Sequence, residues 1–258
     1  MAEIRPNGTD TVMLYSIDLK DRVEFKVNDP EGPRASWARY IYGVCQEMKA
    51  LGVDVKGFNA AFYGDVPLGA GMSSSAALES CFAFALNDLF GDNKVSKWDL
   101  VLAGQATEHK YVGVNCGIMD QFAIAMGKKD CAIFLDTSDL KYEYAPVKLE
   151  GARIVISCSN KKRGLGDSKY NERRSECETA LVEIQKVKDI KSLGELTEEE
   201  FEAVKDAIKD PVRQKRAKHA VYENQRTVQA VAALKADDIA KFGELMNASH
   251  VPCVMTMR

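Results

Sequence analysis

The sequence predicts an α+β protein built from two lobes. Alternating, strand-like segments lie in the first 150 or so residues, whereas the chain after about residue 165 carries four helical segments and almost no strand signal. The length of 258 residues suits one large domain or two small ones. The best boundary lies near Glu150 and Gly151, so we predict lobes at residues 1–150 and 151–258.

The N-terminal lobe is predicted to begin with strands at 12–17 and 23–27, where the residues are rich in Val, Ile, Tyr and Phe. A helix follows and ends at Gly52, and its apolar residues recur every three or four positions: Trp37, Tyr40, Ile41, Val44, Cys45 and Met48. Residues 57–66 return to strand character. A further helix is predicted to grow from the segment at 67–79, another spans about 97–112, and buried strands are predicted at 131–135 and 153–157.

The C-terminal lobe is predicted to be helical near residues 168–189, 197–209, 212–234 and 236–248. Thr197 lies three residues before Glu200, the spacing of a capping box, and Leu196 and Phe201 are placed for a hydrophobic staple. Pro211 either starts the third of these helices or interrupts it.

The composition excludes several classes of protein. Apolar residues make up 46% of the chain, and 38 acidic residues against 35 basic ones argue against a strongly basic nucleic-acid binder. No apolar run approaches the roughly 20 residues of a membrane span, and the N-terminus lacks a secretory signal. The seven cysteines include no CxxC pair, which indicates reduced thiols rather than a disulfide framework or zinc site. We therefore predict a cytoplasmic protein with neither nucleic-acid nor membrane partners.

A glycine- and serine-rich segment is the most informative local motif. It comprises Gly69, Ala70, Gly71, Met72, Ser73, Ser74 and Ser75. Its glycines allow a tight backbone, and the unpaired N–H groups of the helix that follows suit phosphate oxygens. The segment is neither a Walker A loop nor GxGxxG. From the residues alone, the alternative is a glycine turn followed by a serine-capped helix.

A second candidate segment holds two acids, Glu108 and Asp120. Asp120 lies between Met119 and Phe122, and an acid among apolar residues is costly unless it is partnered or functional. It could take a proton from a hydroxyl nucleophile, or it could be the N-cap of a helix starting at Gln121. Glu108 could be a metal ligand or an exposed helical glutamate.

The remaining polar residues give weaker signals. The three histidines are scattered without metal spacing, and no GxSxG elbow accompanies the serines, so a hydrolase is not indicated. Residues 168–178 carry acids and bases at helical spacing, which is typical of a solvated, salt-bridged face. Tyr170, near the start of that helix, could instead bond a polar ligand.

Four stretches in this order resemble the galactokinases of the GHMP small-molecule kinase family. They are the glycine–serine segment at 67–77, Gly-Val-Asn-Cys-Gly-Ile-Met-Asp-Gln-Phe at 113–122, Tyr-Asn-Glu-Arg-Arg-Ser-Glu-Cys-Glu at 170–178 and Met-Asn-Ala-Ser-His at 246–250. The resemblance covers about residues 7–250. It implies a two-lobed fold with a ribosomal S5 domain 2-like N-terminal lobe, and an ATP-dependent kinase acting on the C1 hydroxyl of galactose.

The resemblance also implies residue roles. Asp120 would accept the proton of the sugar hydroxyl, and Tyr170 would contact the sugar. Gly69 to Ser75 would bind the phosphates of ATP, Ser75 and Glu108 would hold Mg²⁺, and Trp37 would lie near adenine. The partners implied are galactose and ATP alone, with the protein a monomer.

Two galactokinase motifs are not found in the sequence. One is the N-terminal motif that supplies an arginine and the sugar-binding acids, and the other is a late glycine-rich motif. The expectation is therefore that both lobes are incomplete and that the chain is inactive alone. The alternatives are a related sugar kinase, such as an N-acetylgalactosamine kinase, and a non-catalytic galactose/ATP sensor on the same scaffold.

Overall fold

A computed structural model describes residues 1–67, 71–156 and 170–256, with side chains as far as residue 250. The described residues form two compact units that divide between Gly127 and Lys128. This position lies before the boundary predicted near residue 150, and the lobes at 1–150 and 151–258 stay a prediction. Residues 142–146 contact the helix at 211–235 within the second unit. The mixture of strands and helices confirms the predicted α+β class.

The first unit contains a four-stranded sheet with the strand order β1-β4-β2-β3. The strands are β1 (Ala2–Pro6), β2 (Thr11–Ser16), β3 (Asp21–Lys26) and β4 (Phe58–Phe62). β2 runs parallel to β4, with Leu14 opposite Ala60, and the other two pairings are antiparallel. The strands predicted at 12–17, 23–27 and 57–66 are confirmed, while β1 was not predicted.

Four helices of the first unit follow or interrupt these strands: α1 (Ser36–Ala50), α2 (Ser74–Gly91), α3 (Lys97–Thr107) and α4 (Met119–Met126). One face of the sheet packs on α1 and α2 around fully buried side chains that include Ile41, Met48, Phe58, Phe82 and Leu86. A helix was predicted over 97–112. In the structure its α-helical part ends at Thr107, and the chain continues as a π-helical turn, Glu108–Val112. Such turns are frequent at functional sites.

The second unit joins a hairpin to four helices. β5 (Cys131–Leu135) pairs antiparallel with β6 (Tyr142–Pro146), and the helices are α5 (Tyr170–Ile184), α6 (Glu198–Val204), α7 (Pro211–Lys235) and α8 (Ile239–Thr256). Lys235 on α7 forms an ion pair with Glu143 on β6 at 2.7 Å. Pro211 starts α7 behind the N-cap Asp210, which settles the open alternative in favour of a helix start.

The strand predicted at 153–157 is wrong for its described part. Residues 153–156 have no regular structure, and the side chains of Ile154, Val155 and Ile156 are exposed. A strand exists only where a neighbour accepts its backbone hydrogen bonds, and within the described chain no strand pairs with this segment. The apolar run alone could not reveal this.

Two predicted absences can be compared with the structure. The five cysteines with described side chains, Cys45, Cys81, Cys116, Cys131 and Cys177, form no disulfide. Within the described part of the chain, none of the helices is long and apolar enough to cross a membrane.

The capping box predicted at the start of α6 is confirmed. The Glu200 N–H donates to the Thr197 hydroxyl at 3.2 Å, and the Thr197 N–H donates to the Glu200 carboxylate at 3.0 Å. Leu196 and Phe201 are fully buried beside it. The first turn of α6 is therefore held by its own side chains and by the core of the second unit.

Replacing Thr197 by alanine is expected to lower the free energy of unfolding by about 1 kcal/mol, because the Glu200 N–H loses its acceptor. Urea denaturation measures the change. The matched control is Thr179→Ala, since Thr179 is an exposed residue within α5 whose hydroxyl only bonds back to the Ser175 carbonyl. Equal losses in both variants would contradict a capping role for Thr197.

Candidate active site

The helix α2 begins in the middle of the glycine–serine segment. Gly69 and Ala70 lie outside the described residues, and Gly71 follows them with a φ of +74°. Ser73 precedes the first turn of α2 with a φ of +59°, and its side chain makes no capping hydrogen bond. The alternative of an ordinary serine-capped helix is therefore wrong. The backbone instead turns through the left-handed region at two positions just before the helix, a conformation that serine adopts at a cost.

The three serines present hydroxyl groups at the start of α2. Ser73, Ser74 and Ser75 are half-buried, and Met72 before them is exposed. The first N–H groups of a helix lack partners within the helix and carry a partial positive charge. The start of α2 can therefore accept an anion with backbone N–H groups and serine hydroxyls together.

Glu108 lies at the junction of α3 and the π-helical turn and is only 3% exposed. The alternative of an exposed helical glutamate is wrong. Its backbone carbonyl accepts hydrogen bonds from the N–H groups of Gly113 at 2.8 Å and Val114 at 3.1 Å, which closes the π-helical turn. The position of Glu108 is thus fixed by a backbone feature that neither periodicity nor composition could indicate.

The Glu108 carboxyl group contacts Ser75 and a second buried acid, Glu79. Burial raises the pKa of Glu108, while hydrogen bonds with Ser75 and Glu79 oppose that rise. Burial raises the pKa of Glu79 strongly, and the neighbouring Glu108 charge raises it further. If both side chains were ionised, Glu79 Oε1 and Glu108 Oε2 would be buried without a hydrogen-bond donor. Burial and the neighbouring charge therefore both favour the protonated form of Glu79.

Asp120 lies in the first turn of α4. The helix starts at Met119 with Ile118 as its N-cap, so the alternative of Asp120 as an N-cap is wrong. Asp120 is half-buried, and its charge contributes to raising the pKa of both Glu79 and Glu108, which places the three acids in one electrostatic cluster. A carboxylate in the first helical turn is favoured by the helix dipole.

The structure therefore brings together three of the predicted site residues, Ser75, Glu108 and Asp120, from three different elements. Glu79 belongs to the same cluster but was not predicted from the sequence, since a glutamate in an amphipathic helix is usually a surface residue. A sequence signal did exist, because Glu79 lies four residues after Ser75 and so shares its face of α2.

Trp37 lies on α1 beside a cavity of about 170 Å³. Its indole N–H donates to Asp21 at 2.9 Å, and its ring packs on Phe62 with the centroids 5.7 Å apart. The cavity lining is mostly apolar and includes Ser74 and Leu78 of α2. The start of α2 thus borders both this cavity and the acid cluster.

Tyr170 is the first residue of α5 in the second unit, and 45% of it is exposed. Its predicted contact with a sugar stays a prediction. The salt-bridged face expected for this helix is present: Arg174 pairs with Glu178 at 2.8 Å, and Glu176 pairs with Arg216 of α7 at 2.8 Å.

Among the described residues, no group of three or more His, Cys, Asp or Glu side chains is arranged to hold a metal ion. Mg²⁺ does not require such a group, because it is usually bound through one or two carboxylates together with substrate phosphates and water. The donor set of Ser75 and Glu108, a hydroxyl and a buried carboxylate in mutual contact, provides only oxygen ligands and fits a hard cation. His109, the nearest imidazole in sequence, bonds instead to the Cys116 carbonyl at 2.9 Å.

Comparison with known proteins places these features in context. Residues 39–128 match the family model described as the GHMP kinases N terminal domain. The chain is 52% identical over 254 residues to the galactokinase of Clostridium beijerinckii, which covers 97% of this chain and 65% of that protein. It is 50% identical over 250 residues to the galactokinase of Lactiplantibacillus plantarum, covering 95% of this chain and 64% of that protein. The chain thus spans a little under two thirds of the length of the curated relatives it matches.

A solved structure shows the same relationship. The crystal structure of the Lactococcus lactis galactokinase complexed with galactose matches with a TM-score of 0.92 at 44% identity, over 97% of this chain and 66% of that one. A D-glycero-D-manno-heptose 1-phosphate kinase matches with a TM-score of 0.56 at 15% identity, which indicates a shared fold alone. Both matches agree with the two-lobed fold predicted from the sequence.

Proposed function

Because the chain belongs to the GHMP kinase family and is a homologue of the galactokinases, we propose that it takes part in transfer of the γ-phosphate of ATP to the C1 hydroxyl of galactose. One observation carries the proposal. Ser75, Glu108 and Asp120 come from three elements and converge on one acid cluster beside the start of α2. Phosphoryl transfer depends on positioning and on stabilising negative charge. The start of α2 and a Mg²⁺ ion held by Ser75 and Glu108 would stabilise that charge, and Asp120 would position the acceptor.

The start of α2 holds the phosphates of ATP in this proposal. Its unpaired N–H groups and the hydroxyls of Ser73 and Ser74 donate hydrogen bonds to the phosphate oxygens, so no lysine is required. Ser75 and Glu108 hold Mg²⁺, which neutralises charge on the phosphates when bound.

Asp120 is the residue that acts on the acceptor. An ionised carboxylate beside the phosphate site orients the C1 hydroxyl of the sugar and accepts its proton as the bond to phosphorus forms. Tyr170 contributes a contact to the sugar.

The galactose proposal rests on the named relatives, several of which are galactokinases and one of which was solved with galactose. No observation favours an N-acetylgalactosamine kinase or a non-catalytic sensor. We propose further that the protein works in the cytoplasm as a monomer, with ATP and galactose as its only partners.

The test is galactose-dependent formation of ADP and galactose 1-phosphate, followed by coupled assay and ³¹P NMR. It is run on the chain itself and on the C. beijerinckii galactokinase in which the 254 aligned residues are replaced by those of this chain. The unmodified galactokinase is the positive control, and N-acetylgalactosamine is the competing substrate. A folded hybrid that forms no galactose 1-phosphate would contradict the proposal.

Trp37→Ala is expected to weaken the affinity for ATP by about 10-fold while leaving the affinity for galactose unchanged, because the adenine loses an aromatic wall of its cavity. Isothermal titration with each ligand measures both affinities. The matched control is Trp98→Phe, since Trp98 packs on Phe122 and does not line this cavity. Equal effects on ATP binding in both variants would argue against Trp37 as the adenine contact.

A further inference from the structure

Glu79 is a fully buried acid for which the proposed reaction has no direct use. It lies in α2 four residues after Ser75 and has 0% exposure. Burying a carboxyl group costs several kcal/mol unless hydrogen bonds compensate, so an isolated glutamate at this position would be strongly disfavoured. The contacts of Glu79 therefore indicate what the residue is for.

On one side, Glu79 is held by the residue that follows Asp120. The Gln121 amide nitrogen donates to Glu79 Oε2 at 3.1 Å, and Gln121 itself is 2% exposed. This bond joins α2 to the first turn of α4. Because both side chains are buried, neither can exchange the bond for water.

Room for this pair is provided by Gly104 of α3. A Cβ atom on Gly104 would lie 2.9 Å from Gln121 Cγ and 3.4 Å from Glu79 Oε2. The first distance is below any normal contact, so the Gln121 side chain fits only because residue 104 has no side chain. Three helices thus meet at the Glu79–Gln121 bond with almost no free space.

On its other side, the Glu79 carboxyl group lies against the carboxyl group of Glu108. Glu108 also contacts Ser75, one helical turn before Glu79. The Glu108 side chain therefore contacts two residues, Ser75 and Glu79, on the same face of α2. Without Glu79, its remaining side-chain partner among these contacts would be the Ser75 hydroxyl.

We propose that Glu79 is a positioning residue of phosphoryl transfer, which is anchored by Gln121 and holds the Glu108 carboxylate in place beside Ser75 for Mg²⁺. The proposal rests on the proposed function. Outer residues that orient a metal ligand typically contribute 10–100-fold to metal affinity. The effect should appear in the Mg²⁺ dependence of nucleotide binding and not in nucleotide binding without the metal.

The test measures the affinity of the 258-residue chain for a non-hydrolysable ATP analogue, with saturating Mg²⁺ and with EDTA. The ratio of the two dissociation constants is the Mg²⁺ enhancement. Glu79→Met is expected to reduce this enhancement about 10-fold and to change the affinity in EDTA by less than about twofold. Gln121→Met is expected to reduce it in the same direction, because Glu79 loses its anchor.

Glu79→Gln is the conservative variant, and we expect it to retain the enhancement within about twofold. A glutamine can accept the Gln121 amide with its oxygen and donate to Glu108 with its nitrogen. The double variant Glu79→Met with Gln121→Met removes both partners together, which should restore stability relative to Glu79→Met without restoring the enhancement. If Glu79→Met does not fold, the double variant replaces it in the comparison.

The matched control is Asn87→Ala. Asn87 is also a buried polar residue of α2, but it bonds to the backbone of Val95 at the far end of the helix. The Asn87→Ala variant should lose stability and keep the full Mg²⁺ enhancement of nucleotide binding. An undiminished enhancement in folded Glu79→Met, or its recovery in the double variant, would overturn the positioning role. No nucleotide binding by the unmodified chain would instead contradict the proposed function.

Discussion

Asp120→Asn is expected to lower the rate of galactose phosphorylation by about 10³-fold, the largest effect of any single substitution in this site. Asparagine has nearly the same shape as aspartate but cannot accept the proton of the attacking hydroxyl. Because Asp120 lies in the first turn of α4 and is only half-buried, the change should leave the fold and the affinity for ATP almost unaltered. The loss should therefore fall on kcat and not on the binding of either substrate.

The measurement is single-turnover formation of galactose 1-phosphate by the hybrid galactokinase that carries the residues of this chain. Asp88→Asn is the matched control, because Asp88 is an exposed aspartate of α2 that bonds only to Asn93 in the adjoining turn. Its rate should stay within about twofold of the unmodified hybrid. Full activity in Asp120→Asn would exclude Asp120 as the proton acceptor and leave it a charged neighbour of the acid cluster.

The elements that were predictable are those whose pattern is set locally. The stripe of Tyr40, Ile41, Val44 and Met48 fixes α1, since these side chains can all reach the core only in a helix. The capping box of α6 is equally local, because both of its hydrogen bonds lie within four residues. In each case the sequence over one or two turns contains the physical cause.

The elements that were missed depend on partners that are distant in sequence. β1 pairs with β4 about 55 residues later, as when Glu3 lies opposite Ala61, and little in its own composition indicates a strand. Residues 153–156 show the reverse case, in which an apolar run looks like a strand yet has no described neighbour to pair with. Local propensity cannot distinguish the two cases.

The candidate site was predictable in its parts but not in its arrangement. Asp120 and the glycine–serine segment stood out as residues, and the resemblance supplied their roles. The burial of Glu108 depends on the π-helical turn, and the place of Gln121, which bonds to Glu79, depends on the missing side chain of Gly104. Both are consequences of how three helices pack, so neither could be derived from spacing along the chain.

Glu108→Gln is the second substitution for which we expect a large effect, about a 100-fold loss of phosphoryl transfer at limiting Mg²⁺. The amide keeps the volume of the side chain and can still contact Ser75, but it removes the only charge that the Ser75–Glu108 donor set offers to a cation. Raising the Mg²⁺ concentration should recover part of the rate. A titration of activity against free Mg²⁺ in the hybrid galactokinase measures the shift.

The control is Glu47→Gln, because Glu47 is another buried glutamate of the first unit, paired with Lys110 at 2.8 Å. That variant should be destabilised without a change in its Mg²⁺ dependence, which separates loss of a metal ligand from loss of a buried charge.

The glutamine variants of Glu79 and Glu108 should differ in their effect on Mg²⁺ dependence. Glu79→Gln keeps the hydrogen bonds through which Glu79 acts, whereas Glu108→Gln removes the charge through which Glu108 acts. If the two glutamine variants had equal effects, the division of roles between the positioning residue and the metal ligand would be wrong.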